Sequence, residues 1–189
     1  MKKTDVISYC FLTAFLLLLV LAGTINLSGC EDGNGQKTEE RSQAEYLYPA
    51  KITAVVDGDT VKIQFAGSRP EICSKNETVR LIGVNTPELN LYKDAEAEYF
   101  AQEAYLYTNR YYREEVKIQL DDVSAARDKY GRLLAYVWLC NATMLNKNLI
   151  EDGCGRYYSA FLFNENLMKE FAAAEVQAIK SKKGLWGGM

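Results

Sequence analysis

Three short clusters in this chain set carboxylates beside arginines or hydroxyls: Asp57-Gly58-Asp59-Thr60, Arg80-Leu81-Ile82-Gly83-Val84-Asn85-Thr86-Pro87-Glu88 and Asp128-Lys129-Tyr130-Gly131-Arg132. The chain has no histidine. That excludes histidine general bases, His-ligated zinc and Ser-His-Asp or Cys-His machinery. Catalysis must then rest on carboxylates, arginines, lysines, tyrosines or a metal held by oxygens. Hydrolysing a phosphodiester under that restriction needs a hard cation, a carboxylate to activate water and cationic groups over the developing charge. Asp59, Glu88 and the pair Arg80 and Arg132 are of those types. Arginine suits the last role because its planar fork matches phosphate oxygens and stays charged. Each cluster also has a plainer reading. Asp-Gly is a common hairpin turn, Arg80 and Glu88 fit a snorkelling arginine beside an incidental glutamate, and Tyr-Gly-Arg is an ordinary turn.

The elements that must position these residues can be read from periodicity. Ala50 to Val56 and Thr60 to Phe65 read as strands joined by the Asp57-Gly58-Asp59 turn. Val61, Ile63 and Phe65 alternate with Lys62 and Gln64, so one face is buried. Gly67 to Glu77 reads as a loop. Val79 to Val84 is a third strand that stops before Pro87, and it places Arg80, Ile82 and Val84 on one face. An arginine on that face needs an anionic partner. Asp94 to Tyr112 has amphipathic spacing through Ala97, Phe100, Ala101, Ala104 and Leu106, with Asp94 as its cap. Val116 to Leu120 and Leu133 to Leu139 are the fourth and fifth strands, with a charged loop between them. Met144 to Glu151 reads as a short helix ended by Gly153. Glu165 to Lys182 is a longer one, facing inward through Leu167, Phe171, Ala174, Ala178 and Ile179. Five short strands and about three helices predict an α+β fold built on a five-stranded OB-type β-barrel.

The order DGDT, RLIGVNTPE, DKYGR and a helical end with GLW resembles the staphylococcal nuclease (thermonuclease) family, over residues from about 50 to 186. The resemblance implies Ca²⁺-dependent cleavage of DNA and RNA leaving 3′-phosphates. Carried over by motif, Asp59 ligates Ca²⁺ through its carboxylate and Thr86 through its backbone carbonyl. Arg80 and Arg132 bind the phosphate, Arg132 also helping the leaving group, and Glu88 positions or deprotonates the attacking water. The family's second aspartate ligand is Asn85 here; an amide oxygen still ligates but brings no charge. The family's paired tyrosines fall near Ser159 and Phe161, with Tyr157 and Tyr158 adjacent as replacements for base stacking. Lys129 and Tyr130 join them as substrate-binding candidates. The expected form is a monomer. The alternative is a weak or inactive barrel of the same fold that binds nucleic acid or protein at the cell envelope. Such modules lose the arginines or the glutamate, and this chain keeps them.

The amino terminus reads as a targeting segment. Lys2 and Lys3 precede an apolar run from Val6 to Ala22, the pattern of a secretory signal. Leu27-Ser28-Gly29-Cys30 resembles the lipobox of bacterial lipoproteins. That implies a signal peptide over 1–29, lipid on Cys30 and a secreted protein held on a bacterial membrane. Residues 31–45, with five acidic and two basic residues, read as a solvated tether, and the catalytic domain then spans 46–189. Of Cys73, Cys140 and Cys154, the pair Cys140 and Cys154 is nearest in sequence for a disulfide, although all three also suit small buried positions. The chain carries a formal charge of −3; without residues 1–29 it is −4, of which the tether accounts for −3 and the domain for about −1. A nearly neutral domain binds nucleic acid through a local patch, for which Arg127, Lys129, Arg132 and Arg156 are candidates.

Overall fold

Seven strands and three helices of two turns or more follow one another in a computed structural model that describes residues 47–90 and 96–188. The strands are β1 Tyr48–Asp57, β2 Thr60–Phe65, β3 Asn76–Leu81, β4 Val84–Asn85, β5 Glu115–Gln119, β6 Leu133–Trp138 and β7 Arg156–Tyr157. The helices are α1 Ala101–Asn109, α2 Leu145–Glu151 and α3 Glu165–Lys180, and a 3₁₀ turn, Gly184–Trp186, follows them. β1, β2, β3, β6 and β5 close into a barrel in that order. All pairs are antiparallel except β3 with β6, which run parallel. Closure removes the exposed edges of a sheet this small. Ile52, Val61, Ile63, Val79, Ile118, Leu133 and Ala135 fill the interior and are fully buried. The OB-type α+β reading holds. The lipobox, the tether and Asp94 lie outside the described residues. Among the described residues no helix is long and apolar enough to cross a bilayer.

Several boundaries differ from the sequence reading, each for a local reason. Val79 to Val84 is not one strand. β3 begins earlier, at Asn76, ends at Leu81 and gives way to a turn in which Gly83 takes φ +75°. A β-carbon on Gly83 would sit 2.6 Å from the Phe163 ring and 2.7 Å from Phe171, so only glycine fits against these aromatics. Val84 and Asn85 then pair with Arg156 and Tyr157 in a separate two-stranded sheet. Arg80, Ile82 and Val84 therefore do not share a strand face. The buried Asn146 secures this departure. Its amide donates to the carbonyls of Ile82 and Ala135 and its oxygen accepts from Val137 N. It thus satisfies backbone groups where β3 leaves the ladder.

The amphipathic helix is also shorter than its apolar spacing suggests. Phe100 takes φ +69° immediately before Ala101, a conformation that a continuing helix excludes. The inward face is Ala101, Ala104 and Thr108, whereas Leu106 is exposed. α3 ends at Lys180, because Lys182 is left-handed at φ +51°, and Ile179 stays exposed. The short helix does end before Gly153, at φ +69°. The three cysteines are all free. Cys154 is buried, which pushes its thiol up to about 12. Exposed Cys140 instead donates to the Glu115 carbonyl.

Candidate active site

The β1–β2 turn supplies the centre. Asp59 is 4% exposed, so its carboxylate needs partners in place of water. Oδ1 accepts from the Thr60 hydroxyl at 3.0 Å, and Oδ2 accepts from Thr86 N at 2.9 Å and lies 3.0 Å from Arg80 Nη2. Gly58 allows the close approach of the Thr86 corner: a β-carbon there would stand 2.7 Å from Thr86 Oγ1. From below, the buried Thr108 of α1 donates to the Gly58 carbonyl. The turn is thus held from both sides.

Arg80 leaves the end of β3 and folds over the Gly83 turn. Nη1 donates to the carbonyls of Leu81 and Val84 at 2.8 and 2.7 Å, and Nη2 also donates to Asn85 Oδ1 at 2.9 Å. The partner that the sequence demanded for this arginine is Asp59. Arg132 approaches from the turn immediately before β6. Its Nε pairs with Asp128 Oδ2 at 2.7 Å, and Nη1 reaches the Thr60 hydroxyl at 3.3 Å. A continuous series of contacts therefore runs Arg132, Thr60, Asp59, Arg80, Asn85. Asp128 also accepts from the backbone N–H groups of Tyr130 and Arg132, and these bonds together hold its carboxyl below the usual range despite partial burial.

Asp57 and Glu88 add two more carboxyl groups. Asp57 is pushed up to about 6, first by burial, then by the neighbouring charges of Asp59 and Glu88 and a side-chain hydrogen bond with Glu88. Glu88 is exposed beyond Pro87, and its backbone is tied to Glu98 in both directions. Carboxylates crowded this way favour a positive charge in their midst. The available donors, Asp57, Asp59, Asn85 Oδ1 and the Thr86 carbonyl, are all hard oxygens and suit a hard divalent cation. Among the described residues no three His, Cys, Asp or Glu side chains form a ready metal cluster. A cation here must rely on neutral oxygens as well. The residues fit such an ion, with little formal charge to hold it.

The remaining candidates fall into two groups. Lys129 and Tyr130 are exposed on the loop before β6, with the Arg132 guanidinium 5.5 Å from the Tyr130 ring centroid. Tyr157 is half-buried and packs edge-on against Phe163, whereas Tyr158 is exposed beside Phe161. The expected four-residue basic patch does not form as such. Arg127 pairs with Glu77, Arg132 with Asp128, and Arg156 lies over Trp186, which leaves Lys129 beside the Tyr130 ring. Asp57, Thr108 and Glu77 were not singled out from the sequence. Asp57 was visible as the first acid of the DGD turn; Thr108 and Glu77 gave no local signal.

A five-stranded barrel carries acids at its β1–β2 turn, one arginine on β3 and another just before β6, an arrangement suited to phosphodiester hydrolysis. The profile described as "Staphylococcal nuclease homologue" matches residues 78–188. The chain is 31% identical over 176 residues to the thermonuclease of Staphylococcus hyicus, covering 90% of this chain and 95% of that one. It is 29% identical to the thermonuclease of Staphylococcus intermedius, over 93% and 97% of the two chains. It is also 29% identical to endonuclease YncB of Bacillus subtilis, over 79% and 66%. The chain belongs to the staphylococcal nuclease family, and that membership makes it a hydrolase of the nuclease class.

Proposed function

We propose that this protein is a Ca²⁺-dependent nuclease that hydrolyses DNA, RNA or both outside the cytoplasm and leaves 3′-phosphate ends. The observation that carries the reading is the contact series from Arg132 through Thr60 and Asp59 to Arg80, with Asp57 and Glu88 alongside. Asp59, Asn85 and the Thr86 carbonyl would hold calcium, with Asp57 lending charge. Bound there, the ion supplies Lewis-acid polarisation of a phosphate oxygen. Arg80 and Arg132 offer guanidinium forks to the phosphate as it gains charge. Glu88, on an exposed corner, orients the attacking water and takes its proton. Arg132, held by Asp128, faces the departing 5′ oxygen. Lys129, Tyr130, Tyr157 and Tyr158 bind the flanking nucleotides, with Tyr158 presenting the more open ring. The domain acts as a monomer, held to a bacterial membrane by lipid on Cys30 and the acidic tether over 30–45.

End analysis of the products tests the proposal. Labelled DNA and RNA oligonucleotides digested with calcium should yield fragments that polymerase extends only after phosphatase treatment. Fragments that extend directly, or cleavage that continues undiminished in chelator, would refute it.

A further inference from the structure

Glu77 breaks the pattern of its strand. Along β3 it shares the inward parity of Val79 and Leu81, and it is 9% exposed. A carboxylate in that position is costly unless it is fully paired. The partner comes from a distant loop. Arg127 sets Nη1 against Glu77 Oε2 at 2.9 Å and Nη2 against Oε1 at 2.8 Å, a two-pronged contact. The same guanidinium donates to the Gly131 carbonyl at 2.9 Å and to the Ile72 carbonyl at 3.0 Å. Ser74 N completes the carboxylate at 2.7 Å. Arg127 therefore fastens to β3 the loop that carries Asp128 to Arg132, and it touches that loop at Gly131, the residue before Arg132. Gly131 takes φ +80°, so the turn delivering Arg132 has an unusual backbone to hold.

We propose that Glu77 and Arg127 form a positioning clamp for Arg132, setting the height at which its guanidinium meets the phosphate above Thr60. The inference rests on the reading of this chain as a nuclease. The clamp touches none of the proposed cation donors. Its loss should displace Arg132 while leaving calcium in place, and small displacements of a charged group over the reacting centre cost rate steeply. Charge alone predicts the opposite for one partner: Glu77→Gln makes the protein less acidic and, by electrostatics alone, favours nucleic acid.

The test is a double-mutant cycle on the full-length chain with Glu77→Gln, Arg127→Met and both together. Each single variant should lower kcat on the order of tenfold, with KM and calcium affinity within about twofold of the parent. The double variant should be no worse than the singles, because the two act as a unit. Arg127→Lys, which keeps one prong, should fall between. A second readout is independent of cleavage: amide exchange at Gly131 and Arg132 should accelerate in every variant, with chelator present. Unchanged kcat per folded molecule, losses that multiply in the double variant, or unchanged exchange would overturn the clamp. If the parent chain cleaves nothing, the nuclease reading fails, and the exchange rates alone decide whether the clamp orders the loop.

Discussion

The guanidinium of Arg80 donates to the side-chain oxygen of Asn85 at 2.9 Å. An amide oxygen there is a neutral acceptor for the arginine and a neutral donor for a cation. Calcium affinity follows the number of charged ligands. Asn85→Asp should therefore tighten calcium binding by about tenfold, equivalent to roughly 1.4 kcal/mol. Calorimetric titration of both forms measures it, and equal affinities would remove Asn85 from the cation site.

Acid stability should depend on Glu77. Its hydrogen bonds from Arg127, the largest influence, hold the carboxyl below its ordinary value of 4.5 in the folded protein. A folded pKa lowered below the unfolded one stabilises the fold above the unfolded pKa, and that contribution is lost as pH falls through the folded value. The parent should exceed Glu77→Gln in stability by about 1–2 kcal/mol at neutral pH, between an exposed pair and a buried one. The gap should close progressively below pH 4.5. Urea titrations at pH 7 and near pH 3 check this, and a gap that stays constant with pH would contradict it.

Asn146 should carry more stability than its chemistry suggests. Replacing it by leucine removes the partner of the Ile82 carbonyl and of the Val137 amide in the core, while the Ala135 carbonyl keeps its bond from Ile82 N. A buried backbone group left unpaired costs about 1–3 kcal/mol, so Asn146→Leu should lose at least about 2 kcal/mol by denaturant titration. Neutral or increased stability would mean that water or a repacked turn takes over these bonds.

The proposed membrane anchor is open to a direct check. Cys30→Ser removes the thiol that would carry lipid. The variant should fail to incorporate labelled fatty acid and should shift from the membrane to the soluble fraction. Equal fractionation and labelling of the two forms would count against lipid on Cys30.

Much of the barrel was legible because its strands alternate cleanly, as Val61, Ile63 and Phe65 do against Lys62 and Gln64. Asp59, Arg80 and Arg132 were legible because short motifs placed them at strand ends. What escaped depends on contacts distant in sequence. The break after Leu81 is enforced by Phe163 and Phe171, more than eighty residues away, and only the glycine hinted at it. The bond between Glu77 and Arg127 spans fifty residues, so Glu77 looked like part of a polar loop and Arg127 like part of a basic patch. The α1 start was obscured because Ala97 and Phe100 continue the helical spacing while Phe100 has left the helical backbone.

In the proposed reaction Glu88 would act as the base beside an arginine-lined mouth that would hold calcium. Cleavage rates of the parent and of Glu88→Gln, each with saturating calcium and with chelator, test it most directly. The parent should cleave with calcium and not with chelator, and Glu88→Gln should be slower by about 100-fold or more with calcium affinity retained. Equal rates for the two proteins, or calcium-independent cleavage by the parent, would contradict the account.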